Sequence, residues 1–279
     1  MKTPHLKLLL GGLVILATFT PPPPASAKLI WQDFSLSLLS GSNYEKQKLP
    51  NGIQTQSTDR NVVTFEHASG HTWGGTFLFI DRLMSRDSDF ENDAMYGEFS
   101  INPTMFKPGG FVKQVYAATQ WEFGSGDNGK NASFNLSDGN SFNNYLLGVG
   151  VNLAVPKASF FNVAFYRRFN DDQTLDAHIG NRTRDDNEQL TVVWRFDLAD
   201  GKVRFDGFLD AVTAFDFSNG DKSESGFNFT PQLKYDIGSV MGMQPKKLWG
   251  GVEYVYWENK FGNKDWDERN LNLLLKWHF

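Results

Sequence analysis

Residues able to stack or hydrogen-bond recur two positions apart along this chain: Tyr96 and Glu98, Tyr166 and Arg168, Arg195 and Asp197, Arg204 and Asp206. Tyr116 and Glu122, like Glu253 and Trp257, are also an even number of positions apart. On an extended strand such residues point to the same side, so each set belongs to one face. A face of this composition could hold a small polar molecule. Tyrosine and tryptophan rings stack on a flat ring, contributing about 1–3 kcal/mol per base in nucleic-acid complexes. Carboxylates and guanidinium groups hydrogen-bond hydroxyls and ring edges. Asp210, Lys234 and Asp236 fall on the same kind of face, and both signs of charge are mixed. The structural alternative is that these charges pair with one another and brace a wall.

Covalent and metal chemistry have less to stand on. No Gly-x-Ser-x-Gly motif or P-loop occurs. A Ser–His pair could be drawn only from Ser69 with His67 or His71, the basis for a lipid-modifying enzyme as a minor alternative. His67 and His71 are four apart, with a turn expected between them at Ser69-Gly70, so shared metal ligation is not expected. The chain has no Cys. We expect no enzyme activity, no cofactor and no metal.

The elements that must position these faces are strands. Period-two alternation runs through the chain. At the C-terminus Leu271, Leu273, Leu275, Trp277 and Phe279 alternate with Asn270, Asn272, Leu274, Lys276 and His278. Twelve such runs are expected, near 30–39, 61–68, 72–83, 94–101, 111–123, 142–153, 159–169, 188–198, 202–217, 226–238, 248–259 and 267–279. Long polar connections alternate with short ones, and Ser69-Gly70 and Asp200-Gly201 suit tight hairpins. Strands of about ten residues with one apolar face are long enough to cross a bilayer when tilted. The opposite face is too charged for the core of a soluble sandwich. Lipid outside and water inside reconciles the two, and only a closed sheet can sit in hydrocarbon. The expected fold is an all-β transmembrane antiparallel barrel of about twelve strands, with both termini periplasmic, in a bacterial outer membrane. A soluble periplasmic sandwich or lipocalin-like barrel is the alternative.

Aromatic residues make up 15% of the chain and hydrophobic residues 40%, as expected of one lipid face and one wet face. The formal charge of −5 gives no reason to expect a nucleic-acid polymer as partner. Residues 1–27 read as an export signal, with Lys2 and Lys7, an apolar run from Leu8 to Phe19 and Ala25-Ser26-Ala27 as the cleavage site. The barrel is then residues 28–279. A terminal Phe279 after alternating apolar residues is what the barrel assembly machinery reads. Phe111, Phe161, Tyr254 and Tyr256 have outward parity and suit an aromatic girdle. Acidic loop residues, Asp87, Asp89, Glu91 and Asp93 in one loop and Asp171, Asp172, Asp176, Asp185, Asp186 and Glu188 with Arg182 and Arg184 in another, are solvated or bridge to lipopolysaccharide. The long loops leave open a plugged barrel acting as surface receptor or adhesion anchor.

Short stretches resemble the Tsx-like nucleoside-specific outer-membrane channel family, which includes the OmpK-type porin-like proteins. They are Trp31 with Ser35-Leu36-Ser37-Leu38-Leu39-Ser40-Gly41, then Thr64-Phe65-Glu66-His67-Ala68, Trp73 and Gly74-Gly75-Thr76-Phe77-Leu78-Phe79-Ile80-Asp81. Tyr96-Gly97-Glu98-Phe99-Ser100-Ile101, and Trp249-Gly250-Gly251 through Trp277-His278-Phe279, complete the set. The resemblance implies a narrow twelve-stranded barrel, a monomer, passing nucleosides by passive diffusion along aromatic and ionisable wall residues.

Overall fold

The structure is a computed structural model that describes residues 27–44, 58–86, 93–126, 140–171, 184–218, 220–262, 264 and 266–279. Twelve strands follow one another: β1 Leu29–Tyr44, β2 Thr58–His71, β3 Gly74–Ser85, β4 Ala94–Phe106, β5 Val112–Gly126, β6 Asn140–Leu153, β7 Ala158–Asp171, β8 Asn187–Leu198, β9 Val203–Val212, β10 Gly226–Asp236, β11 Leu248–Glu258 and β12 Glu268–His278. Each pairs antiparallel with the next, and β12 returns to β1 through Leu36 opposite Trp277 and Leu38 opposite Leu275, so the sheet is a closed barrel. Closure leaves no edge strand with unpaired backbone groups.

Residues directly opposite each other on neighbouring strands share a face, and the ladder carries one parity around the whole barrel. On β12, Glu268, Asn270, Asn272, Leu274, Lys276 and His278 are buried and face inward, while Leu271, Leu273, Leu275 and Trp277 are exposed. Outward apolar residues continue through Leu38, Leu147, Val149, Phe165, Leu190, Leu233 and Tyr254, a belt of exposed hydrophobic side chains on neighbouring strands. In water a belt of this extent would drive association. Around a closed barrel with a polar interior it is a lipid-facing surface, and the chain is a bilayer-spanning barrel of the outer-membrane type. Phe111, Phe161, Tyr254 and Tyr256 all lie on this outer side.

One end of the barrel carries the short connections, here the turn end, and the other carries the long ones, the loop end. The described N-terminal residues and Phe279 are at the turn end. Asp200 and Gly201 both have positive φ in a tight 3₁₀ turn between β8 and β9, as their residue types favour. A single helical turn, α1 (Ile237–Val240), follows β10.

Three expectations are corrected. Ser69-Gly70 is not a turn: both residues continue β2 and Thr72-Trp73 forms the hairpin instead. Gly70 is needed because the Trp31 indole lies across it, where a Cβ would come within 2.2 Å of Nε1. His67 and His71 therefore sit on one strand with no turn between them. β9 stops at Val212 rather than near 217, because Phe215 and Phe217 stack edge to face at the loop end instead of facing lipid. Much of the expected long loops, with Asp87, Asp89, Glu91, Asp172, Asp176 and Arg182, lies outside the described residues, as does the expected leader up to residue 26.

Candidate functional site

The register turns all of Tyr96, Glu98, Tyr116, Glu122, Tyr166, Arg168, Arg195, Asp197, Arg204, Asp206, Glu253 and Trp257 toward the lumen. They divide into bands along the barrel axis.

The turn half holds matched ion pairs. Nζ of Lys234 lies 2.7 Å from one oxygen of Asp206 and donates to the other at 2.9 Å. It also donates to Gln232 at 2.6 Å. Arg204 donates from Nε to Asp197 at 2.9 Å, and its guanidinium lies 4.3 Å from the centre of a Trp249 ring that is wholly buried. Arg195 stands 3.8 Å from Asp206 and over the Phe160 ring. Lys276 pairs with Glu66, and His278 Nδ1 contacts Asp33 at 2.8 Å. Asp236 does not line the lumen as its parity suggested. It caps α1, accepting from the Ser239 and Lys246 amides.

The loop half is built around Arg168. Its guanidinium is 2.5 Å from Glu122 and donates to Gln189 at 2.7 Å and Asn170 at 3.0 Å. Asn144 completes the cluster by donating to Glu122 at 3.2 Å. Two tyrosines below it pack into the wall. Tyr116 lies over Gly150, whose added Cβ would fall 2.1 Å from the ring. Tyr116 and Tyr166 are only 7% and 4% exposed and cluster with Ala118, Leu146 and Ala164. Gly150 and Gly148 thus serve as sockets for wall side chains and for close strand approach. Farther along, Lys260 bonds Glu268 at 2.8 Å and sits 4.6 Å from the Trp257 ring centre.

Between these bands lie four half-buried carboxylates held only by neutral donors. Asp81 accepts from Thr64 at 2.6 Å, and Glu98 from the Tyr96 hydroxyl at 2.6 Å. Asp210 accepts from Thr191 at 2.6 Å and Gln189 at 3.2 Å. Glu253 accepts from Gln232 at 2.7 Å and Asn272 at 3.1 Å. None of the four has a salt-bridge partner among the described residues. Glu98 lies within electrostatic range of Glu122 and Asp210, and Asp81 of Glu253 and Glu66. The middle of the lumen is therefore a belt of carboxyl groups with no salt-bridge partner among the described residues. Asp210 lies on the face where the sequence placed it, and Asp81, Gln189 and Gln232 join the expected lumen residues. Pairing partners on neighbouring strands could be found only with the register in hand.

On the outer face, Ser69 Oγ is 2.9 Å from His71 Nε2 and 2.6 Å from Thr76 Oγ1. His71 stacks on Trp73, and His67 on Phe34. Ser69 is 4% exposed, which leaves its hydroxyl little room to meet a substrate.

Solved outer-membrane channels align with this chain. The KdgM porin aligns over 88% of this chain and 99% of its own at 9% identity, with a TM-score of 0.46. An outer-membrane channel from Pseudomonas putida F1 aligns over 92% and 99% at 9% identity, with a TM-score of 0.47. A loop-deleted OmpT of Vibrio cholerae aligns over 89% and 99% at 11% identity, with a TM-score of 0.40. No protein-family model matches the chain, and no curated protein matches it.

Proposed function

We propose that this barrel is a passive diffusion channel for small polar solutes, nucleosides foremost, and that it passes cations more readily than anions. The mid-lumen belt of Asp81, Glu98, Asp210 and Glu253 carries this reading. Carboxylates without a paired cation keep acceptor capacity for the hydroxyls and amino groups of a passing solute. They also repel anions in a space where charges are poorly screened. A nucleoside is uncharged, rich in hydroxyls and carries exocyclic donors, so it suits an acceptor-lined passage. Tyr96 adds an aromatic edge beside Glu98, whereas the buried Tyr116 and Tyr166 support the wall around it. Several weak sites in series favour passage, because entry must be matched by release. In this reading residues 1–27 are an export leader, both termini are periplasmic, and Phe279 serves assembly of the barrel.

The test is single-channel current in planar bilayers with the refolded 28–279 chain, titrated with adenosine and thymidine against glucose. Small unitary steps interrupted by nucleosides and not by glucose are expected. Steps indifferent to both nucleosides would remove the nucleoside assignment, and a folded barrel giving no steps would remove the channel itself.

A further inference from the structure

The two ends of the barrel treat basic side chains differently. At the loop end most described bases are matched, the exposed Lys264 aside: Arg82 pairs with Asp93 and Arg86 with Asp59. Arg167 pairs with Glu188, and Arg269 lies between Asp267 and Glu258. At the turn end the lysines have no such partners. Lys107 and Lys113 flank the β4–β5 turn, Lys157 sits in the β6–β7 turn, Lys202 follows the β8–β9 turn, and Lys246 and Lys247 end the β10–β11 turn. Lys28 adds one more beside β1. None makes a salt bridge among the described residues, and all but Lys247 are exposed. The exposed side-chain carboxylate in these turns is Asp200 alone; Asp33, Asp197 and Asp236 are engaged with His278, Arg204 and the α1 cap. The unpaired positive charges form a ring, open only at the His71–Gly74 hairpin.

The ring lies next to exposed apolar side chains at the same end. Ile30 and Phe111 are 64% and 61% exposed, and in the β10–β11 turn Val240 and Met241 are 72% and 67% exposed. The β10–β11 turn is amphipathic along its length: an apolar tip at Val240-Met241 is followed by Lys246-Lys247. Apolar side chains of this kind enter the boundary between headgroups and acyl chains, and long lysines reach back to the headgroups.

We propose that the turn end is a docking surface for anionic glycerophospholipid headgroups, and that this lysine ring seats the barrel against the phospholipid leaflet. Phosphate oxygens supply the acceptors that the lysines lack within the protein. The attraction is local, because it fades within about 10 Å at moderate salt. It is independent of what the lumen transports.

The test uses the refolded 28–279 chain in mixed micelles of phosphatidylglycerol and phosphatidylcholine, with retained lipids counted by native mass spectrometry. Wild type is expected to retain phosphatidylglycerol about tenfold over phosphatidylcholine, equivalent to about 1.4 kcal/mol. The combined Lys107→Glu, Lys157→Glu, Lys202→Glu and Lys246→Glu variant is expected to lose that preference. If the Glu variant does not fold, the corresponding Lys→Gln set carries the same prediction. Lys222→Glu at the loop end is expected to leave the preference unchanged. Equal retention by wild type, or a preference that survives the turn-end changes, would each overturn the proposal.

Discussion

The turn half of the lumen and its middle are lined by the same residue types but differ in how charge is settled. In the turn half each acid has a base: Asp206 with Lys234, Glu66 with Lys276, Asp197 with Arg204. In the middle, Asp81, Glu98, Asp210 and Glu253 rest on hydroxyls and amides. Matched pairs inside a protein do little for net stability but are costly to break, because the survivor is left as a buried charge. A carboxyl group held by neutral donors has no such partner to lose, and its oxygens remain available to whatever enters. The contrast separates ion-paired side chains that brace the wall from carboxyl groups held only by neutral donors, two settings that the sequence pattern left mixed.

Breaking the braced band has the largest expected effect. Lys234→Met strands Asp206 beside a more distant Arg195, and is expected to destabilise the barrel by about 3–5 kcal/mol. The check is a lowered temperature at which the folded, fast-migrating form is lost in a heat-modifiability assay. A smaller loss follows from filling a socket. Gly150→Val puts a side chain where the Tyr116 ring lies, 2.1 Å from it, and is expected to cost about 1–3 kcal/mol in the same assay. The smallest effect is expected from the middle band. Asp210→Asn keeps an oxygen to accept from Thr191 and Gln189, so its stability should change by less than about 1 kcal/mol. A loss as large as that of Lys234→Met would erase the distinction between the two bands.

The barrel was legible in the sequence because a two-sided strand announces itself by alternation. All twelve strands, and the inward parity of Tyr96, Arg168, Arg195 and Trp257, could be read from period two alone. Strand ends were less legible. Ser69-Gly70 looked like a hairpin by residue type, but the glycine makes room for Trp31, and the turn falls at Thr72-Trp73. Which inward charges neutralise each other was not legible at all. Lys276 and Glu66 are 210 positions apart and meet only because β12 closes on β1. The packing of Tyr116 and Tyr166 into the wall was also hidden, because it depends on the glycines of a neighbouring strand rather than on the tyrosines themselves.

The most direct measurement is the reversal potential of single channels in a potassium chloride gradient, for wild type and for the combined Asp81→Asn, Glu98→Gln, Asp210→Asn and Glu253→Gln variant. An acidic mid-lumen belt exposed to solute predicts a wild-type potential displaced toward that of potassium, and a variant displaced back toward zero with its fold intact. A wild-type channel that prefers chloride, or a variant whose selectivity equals wild type, would contradict it.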